Sequence, residues 1–281
     1  MPLPVLFLVL GCAVLHASWN AWVKSTGSTR HALGAVSLAW CVMGSAGALF
    51  VPAPNRASYP YLLASVLVHQ VYIAGLARLY RGDSLSRVYV LMRAIPPVLV
   101  TLGSAWWLRE YVSIGKGAGI ALVLAGVFVV SPPRIHVWRG LGLPALAITI
   151  LSIASYTLID GVGVRKSGSA LGYGLWLCFL QGGLYVATLL VRERISFLAF
   201  TQQNMGGGFL AGAASLLAYT GVLYCAARAP LGLVAALRES SVLVASFLAS
   251  AFLKERLPKL AWVGALSVFA GAVCMEEPWR L

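Results

Sequence analysis

The chain is a succession of long apolar stretches, separated by short segments that carry single charges, prolines or glycines. Only 10% of its 281 residues are charged and 60% are hydrophobic, whereas a soluble domain carries about 25% charged residues. One globular core cannot hide so much apolar surface from water, so lipid must be the solvent for most of the chain. The sequence therefore predicts an integral membrane protein.

The apolar stretches are continuous, which favours membrane helices over a β-barrel, because barrel strands alternate apolar and polar residues over segments of about ten. A helix that spans the bilayer needs roughly 20 residues, so the chain has room for about ten spans. We therefore predict an all-α fold with spans at residues 2–24, 32–51, 59–80, 85–107, 113–131, 141–163, 170–191, 205–227, 231–253 and 258–275.

The net charge of +13 is not the footprint of a nucleic-acid-binding protein. Lys and Arg occur singly between the apolar stretches and form no contiguous basic face, as expected of charges that flank membrane spans. The loops after odd-numbered spans carry slightly more Lys and Arg than the others, which favours a topology with both termini outside.

Part of the first half of the sequence returns in the second half. Arg93 and Arg238 are 145 positions apart (238 − 93). The same offset relates further pairs: Glu110 with Glu255, Gly119 with Gly264, and Gly126 with Gly271. A repeat at fixed spacing indicates an internal duplication, which in an apolar chain is typical of a transporter.

The duplication reaches the first helix of each half, where Gly27-Ser28 recurs as Gly168-Ser169. The linker at 131–140, which contains two adjacent prolines, is the best boundary between the halves. We therefore predict two repeats of five helices each, residues 1–134 and 135–281. Because five is odd, two such repeats joined in series face opposite ways across the membrane, as an inverted repeat.

Two arginines inside predicted spans are candidates for a substrate-binding site. Arg93 lies about eight residues into the fourth span, and Arg238 occupies the matching position in the ninth. Arginine at bilayer depth costs about 2.5–3.5 kcal/mol, and such residues usually face the bundle interior and mark a substrate path. The guanidinium suits a carboxylate or a phosphate-like group. The alternative is that each arginine pairs with an internal acid or extends to the membrane surface.

Glu239 and Asp160 are the acidic candidates, for a coupled proton or for a cationic group of the substrate. Consecutive residues of a helix point about 100° apart, so Glu239 is expected to be a poor partner for Arg238. Asp160 shares a helical face with Tyr156, although its position also fits the end of a span.

Further polar or aromatic side chains inside the spans are candidates to line a cavity, because buried polar groups need partners and aromatic faces attract cations. They are His16, Trp19, Asn20, Tyr89, Tyr156 and Trp176. The first three share one helical face. Packing or anchoring at the membrane surface is the alternative explanation for each aromatic residue.

The sequence contains no constellation typical of an enzyme or of a cofactor site. A Walker-type phosphate loop, paired Cys or His at metal-ligand spacing and a nucleophile elbow are all missing from it. We therefore predict a protein that is not an enzyme and has no cofactor, and whose energy source is an ion gradient or the gradient of its own substrate.

Together these motifs resemble the drug/metabolite transporter superfamily, in particular its ten-helix EamA-type permeases. The resemblance covers nearly the whole chain and rests on motifs in a set order: Trp19-Asn20 with Lys24, Gly82-Asp83-Ser84 through Tyr89 to Arg93, Leu108-Arg109-Glu110 before a glycine-rich helix, and Leu253-Lys254-Glu255-Arg256 before the last helix. One departure between the halves is Pro96-Pro97, which has no proline counterpart at Ser241-Val242.

The resemblance implies a secondary-active transporter of the cell inner membrane, with a central cavity between the repeats and alternating access. Its expected substrates are small metabolites, such as amino acids or related zwitterions and anions, moved outward. Protons as the coupling ion and a homodimer are further expectations. The alternatives are a proton-coupled exporter of cationic drugs that uses Glu239 and Asp160, and an intramembrane lipid-handling protein or enzyme.

Overall fold

The structure is a computed structural model that describes residues 3–79, 85–130, 142–241, 244 and 259–276. Within these ranges the description leaves out the side chains of residues 77, 85–94, 130, 142–143, 259, 261, 265, 269, 272–273 and 275–276. The described residues contain ten α-helices and no β-strand. The helices are α1 (Leu3–Ser25), α2 (Thr29–Ala48), α3 (Tyr59–Leu79), α4 (Leu85–Trp107), α5 (Ile114–Val130), α6 (Gly142–Lys166), α7 (Ala170–Gln203), α8 (Met205–Ala226), α9 (Leu231–Arg238) and α10 (Lys259–Glu276). A short 3-10 helix, Arg56–Ser58, precedes α3.

Six of the described helices are long and apolar enough to cross a membrane, namely α1, α2, α3, α6, α7 and α8. This confirms the predicted all-helical fold for the described residues, and the six long apolar helices suggest a membrane protein. The helix bounds follow the apolar stretches closely, since α4, for example, runs from Leu85 to Trp107, as predicted. The predicted boundary between repeats, at 134/135, lies outside the described residues.

The seventh span, predicted to end at residue 191, ends at a break at Glu193 (φ −141°, ψ 36°), and a further helical segment continues from there to Gln203. The ninth span, predicted as one helix over 231–253, is interrupted, since α9 ends at Arg238 and the chain is helical again at Ser241; the predicted end at 253 lies outside the described residues. The backbone N–H groups of Glu239 and Ser240 bond to carbonyl oxygens three residues earlier, which tightens and closes the last turn.

The helices pack in pairs that join the two halves of the chain: α5 on α10, α2 on α7, α3 on α6, and α1 on α8. The contact between α5 and α10 is built on glycines. A Cβ at Gly126 would lie 2.6 Å from the Gly264 carbonyl oxygen, and a Cβ at Gly271 would lie 2.6 Å from that of Gly119. The small residues of these two helices therefore allow close backbone approach within the chain.

The described turns between consecutive helices lie at the two ends of the bundle. At one end Glu110, in the turn between α4 and α5, accepts hydrogen bonds from Arg165 Nη2 (2.5 Å) and from the backbone N–H of Leu231 (2.8 Å). Arg165 also donates to the carbonyl oxygens of Ala226 (3.0 Å) and Ala229 (2.9 Å). We call Glu110, Arg165 and the start of α9 the clasp, and this end of the bundle the clasp end.

At the opposite end α2 is tied to the break in α7. Arg30 Nη1 donates to Glu193 Oε1, and His31 Nε2 lies 2.9 Å from Glu193 Oε2. We call this the Glu193 end. The break at Glu193 thus has a physical reason, because it lets the carboxylate reach the first turn of α2.

Candidate functional site: a cavity between the two halves

A central cavity of about 80 Å³ lies among α1, α2 and α3 of the first half and α6, α7, α8 and α9 of the second half. Four predicted site residues line it: His16, Trp19, Tyr156 and Arg238. It extends from the middle of the bundle toward the Glu193 end, since Leu33 near the start of α2 and Ile73 near the end of α3 also contribute. The cavity is therefore formed by both halves of the chain.

Aromatic rings from four helices form much of the wall. His69 stacks on Tyr156 with 4.0 Å between ring centroids, and Tyr72 meets Tyr156 edge-on at 5.7 Å. Trp40 stacks on Tyr219 at 5.8 Å. Four of these rings were not among the predicted site residues. The sequence did offer a signal for three of them, since His69 and Tyr72 share a helical face on α3 and Tyr219 is an aromatic residue within an apolar stretch.

Two buried polar atoms in the wall have no hydrogen-bond partner in the described part of the chain, Trp40 Nε1 and Gln181 Oε1. Their residues are 8% and 4% exposed, and both line the cavity. An unsatisfied buried donor or acceptor costs about 1–3 kcal/mol. The cavity therefore offers a ligand one donor and one acceptor that the protein itself leaves unused.

Arg238 and Glu239 are closer than helical geometry suggested. Arg238 Nη2 lies 3.5 Å from Glu239 Oε1, and the two side chains are 8% and 1% exposed. The expectation that they are poor partners is therefore wrong. Its premise, a continuous helix, fails because α9 ends at Arg238 and Glu239 already lies in the following turn.

A second, smaller cavity of about 20 Å³ lies between the central cavity and the clasp end. Asp160 of α6, Leu231 and Val234 of α9 contribute to its wall, and Tyr219 and Arg238 are shared with the central cavity. The two cavities therefore adjoin through shared wall residues, and the smaller one lies beneath the clasp.

Asp160 is 1% exposed and is held by hydroxyl groups from neighbouring helices. Tyr173 Oη donates to its Oδ1 at 2.9 Å, and Tyr219 Oη donates to its Oδ2. Ser65 of α3 is a third hydroxyl neighbour of the carboxylate. Asp160 therefore lies inside the bundle and is not exposed at the end of its helix.

His16, Trp19 and Asn20 share one face of α1, as predicted, but only two of them line the central cavity. Trp19 Nε1 donates to His16 Nδ1 at 3.3 Å, and both rings line the central cavity. Asn20 Nδ2 donates to the His16 carbonyl oxygen at 2.8 Å. Asn20 is not among the residues that line either cavity, so its amide is satisfied locally on α1.

The remaining predicted site residues are not brought to the cavity by the described structure. Trp176 packs against Phe179, with ring centroids 6.0 Å apart, and is not among the lining residues. Tyr89 and Arg93 belong to α4, but their side chains lie outside the described residues. Within the described part of the chain, no group of His, Cys, Asp or Glu could hold a metal ion.

Comparison with known proteins supports the fold alone. No family model and no curated protein matches the sequence. A solved structure described as "Crystal structure of protein" superimposes with a TM-score of 0.70 over 99% of both chains, at 15% sequence identity. The similarity therefore covers the whole arrangement of helices and says nothing of a substrate.

Proposed function

We propose that this protein is a secondary-active transporter of the cell inner membrane that exports small metabolites, such as amino acids or related zwitterions and anions. Ten membrane helices would form two inverted five-helix repeats, with alternating access to the central cavity between them. One observation carries the proposal: Arg238, a buried cation inside the helix bundle, lines a cavity that both halves of the chain form. Such residues typically mark a substrate path.

The helix pairing supports the inverted repeat. If each helix is exchanged for the one five places along, α3 on α6 becomes α8 on α1, and both of these contacts exist. The contacts α2 on α7 and α5 on α10 are unchanged by the same exchange. A pseudo-two-fold axis between the halves requires this behaviour.

Two equivalent turns support the inversion as well. Gly27 and Gly168 follow α1 and α6 with φ of 72° and 70°, a left-handed conformation that glycine adopts without strain. Each is followed by a serine that precedes the next helix. The first turn lies at the Glu193 end and the second at the clasp end, as expected of repeats that face opposite ways.

The wall of the cavity suits a small anion or zwitterion. The Arg238 guanidinium would face a carboxylate, Trp40 Nε1 would donate to a second acceptor, and Gln181 Oε1 would accept from an amino group. Binding would then satisfy two atoms that the protein leaves without partners.

A thermal-shift screen of the detergent-purified protein tests this proposal. The panel holds amino acids, small carboxylates and phosphonates, and lipophilic cations. Acids or zwitterions should stabilise the wild type and should fail to stabilise Arg238→Ala. Arg228→Ala is the matched control, because Arg228 is exposed and contacts only the Tyr224 ring and carbonyl oxygen among the described residues. Loss of binding in both variants, or in neither, contradicts the role of Arg238.

The aromatic wall and the buried acids favour a second candidate, a proton-coupled exporter of cationic drugs, because aromatic faces attract cations. In that case lipophilic cations would stabilise the wild type and Arg238→Ala alike, and Glu239→Gln would lose the effect. The two candidates therefore predict opposite outcomes for the same pair of variants.

A further inference from the structure

We propose that Asp160 is the proton-carrying group of this protein and that it signals its protonation state to the central cavity through Tyr219. This inference rests on the proposed transport function and deepens it, because it assigns the coupling ion and the residue that binds it.

Asp160 is a buried carboxylate whose partners in the described structure are all uncharged. Tyr173, Tyr219 and Ser65 supply hydroxyl groups, and no lysine, arginine or histidine lies within ion-pair distance of it in the described part of the chain. A buried charge without a counter-ion is costly, and inside a membrane such residues typically serve ion and proton pathways. The site is therefore built to exchange its negative charge for a neutral form.

The helices that pack on α6 are α3, α4, α7, α8, α9 and the short 3-10 helix, and not all of them bring a titratable or charged group to Asp160. The described part of α4, residues 95–107, carries no charged or titratable side chain. Arg56 of the 3-10 helix is exposed. The titratable and charged groups that face this region are His69 of α3, Tyr156 of α6 itself, Tyr173 and Cys178 of α7, Tyr219 of α8, and Arg238 of α9 with the adjacent Glu239.

A proton fits this site better than a metal ion does. The two phenols donate their hydrogens to the carboxylate, so they direct hydrogens at the site, whereas Na⁺ and other hard cations need several oxygen lone pairs. When a proton from water bonds to a carboxylate oxygen, that oxygen becomes a donor. One phenol must then give up its donated hydrogen bond and accept one from the carboxyl group.

Tyr219 connects this change to the substrate. Its hydroxyl bonds Asp160, while its ring stacks on Trp40 and meets His69 edge-on at 5.7 Å. It lines both cavities. Tyr173 donates to the same carboxylate but lines neither cavity, and it is 0% exposed. Of the two tyrosines that bond Asp160, Tyr219 is therefore the one placed to transmit the protonation of Asp160 to the cavity wall.

Infrared difference spectroscopy of the full-length protein in liposomes, recorded while the pH is lowered, tests the proton site directly. The wild type should gain the carbonyl band of a protonated, buried carboxyl group, and Asp160→Asn should lack it. The same band in both proteins would overturn the assignment. If sodium at constant pH changes the carboxylate bands of the wild type and not those of Asp160→Asn, the coupling ion is sodium and the proton inference is wrong.

Two conservative variants provide a control that keeps the fold. Tyr219→Phe and Tyr173→Phe each remove one donor from the ionised carboxylate, so both should favour its protonated form and shift the band. Only Tyr219→Phe should also alter the change in tryptophan fluorescence during the pH titration, because the ring of Tyr219 stacks on Trp40. Equal fluorescence changes in the two variants, or a band that neither shifts, would contradict the link through Tyr219.

Transport assays separate a failure of this inference from a failure of the proposed function. Any amino acid that stabilises the protein is used as the probe, in counterflow and in uptake driven by a pH gradient. Asp160→Asn should retain counterflow and lose the response to the gradient. If Asp160→Asn still responds to the gradient, the assignment of Asp160 as the proton carrier is wrong, but the transporter proposal is unaffected. A wild type without counterflow of any panel compound sinks the transporter proposal, whatever the infrared result.

Discussion

The two ends of the bundle are held together in different ways. At the clasp end the Glu110 and Arg165 side chains are 11% and 28% exposed, and they bond to each other and to three backbone groups around the start of α9. At the Glu193 end the Arg30 and Glu193 side chains are 38% and 25% exposed, and His31 is the only other residue that adds an ion-pair contact in the described structure. Both ties join the first half of the chain to the second.

Under the proposed transport function, the clasp end would be the closed end in this conformation. The second cavity stops beneath the clasp, whereas the central cavity extends toward the Glu193 end. Hydrogen bonds to charged groups are worth about 1.5–3 kcal/mol, but exposed ion pairs contribute only about 0–1 kcal/mol. Opening the clasp end should therefore require the breaking of the stronger tie.

Glu110→Ala should have the largest effect. It leaves Arg165 without its carboxylate and the first N–H of α9 without its acceptor, so we expect a loss of about 3 kcal/mol in stability. Thermal unfolding in detergent, followed by circular dichroism, measures it. A wild-type melting temperature would show that the clasp does not hold this end.

Gly271→Ala should destabilise the protein by about 1–3 kcal/mol through overpacking, because the new Cβ would lie 2.6 Å from the Gly119 carbonyl oxygen. Gly206→Ala is the matched control, since no atom lies within 4 Å of its Cβ position. The same melting experiment compares them. Equal stability of both variants would contradict the close contact between α5 and α10. This contact is part of neither the clasp nor the Glu193 tie, so its loss should not separate the helices at either end.

Arg165→Lys should cost about 1–2 kcal/mol although it retains the positive charge. A lysine ammonium cannot reproduce the planar fork that serves a carboxylate and two carbonyl oxygens at once. The measurement is a denaturant or thermal melt at low and high salt. If the lysine variant matches the wild type, the clasp acts through charge alone.

Glu193→Gln should have the smallest effect, about 0.5 kcal/mol, and salt should diminish it further. Thermal melts of Glu193→Gln and Glu110→Ala in one buffer series rank the two ties by their contribution to stability. A loss of stability as large as that of Glu110→Ala would contradict the assignment of the clasp as the stronger tie.

Local patterns predicted the helices well, because an apolar stretch in a bilayer must satisfy its backbone hydrogen bonds internally and therefore forms a helix. They failed to predict where the ninth helix is interrupted. Helix α4 continues as one helix through Pro96 and Pro97, whereas the proline-free α9 ends at Arg238. Helix propensity alone predicts the reverse.

The candidate site was only partly accessible from the sequence. Arg238 and Asp160 stood out because charges inside an apolar stretch are rare. Trp40, Gln181 and Tyr219 carried no such signal, since aromatic and amide residues are common in membrane helices. Their importance follows from the packing of α2, α7 and α8 around one cavity, which sequence periodicity does not specify.

The sidedness of cysteine labelling tests alternating access most directly. Val36→Cys, in the central cavity, and Val234→Cys, in the second cavity, are made in a background without the native cysteines and labelled in oriented vesicles with a membrane-impermeant reagent. Adding Glu110→Ala should raise labelling of Val234→Cys from the clasp end and lower labelling of Val36→Cys from the Glu193 end. Labelling that rises at both positions together, or changes at neither, would contradict a cavity that opens to one end at a time.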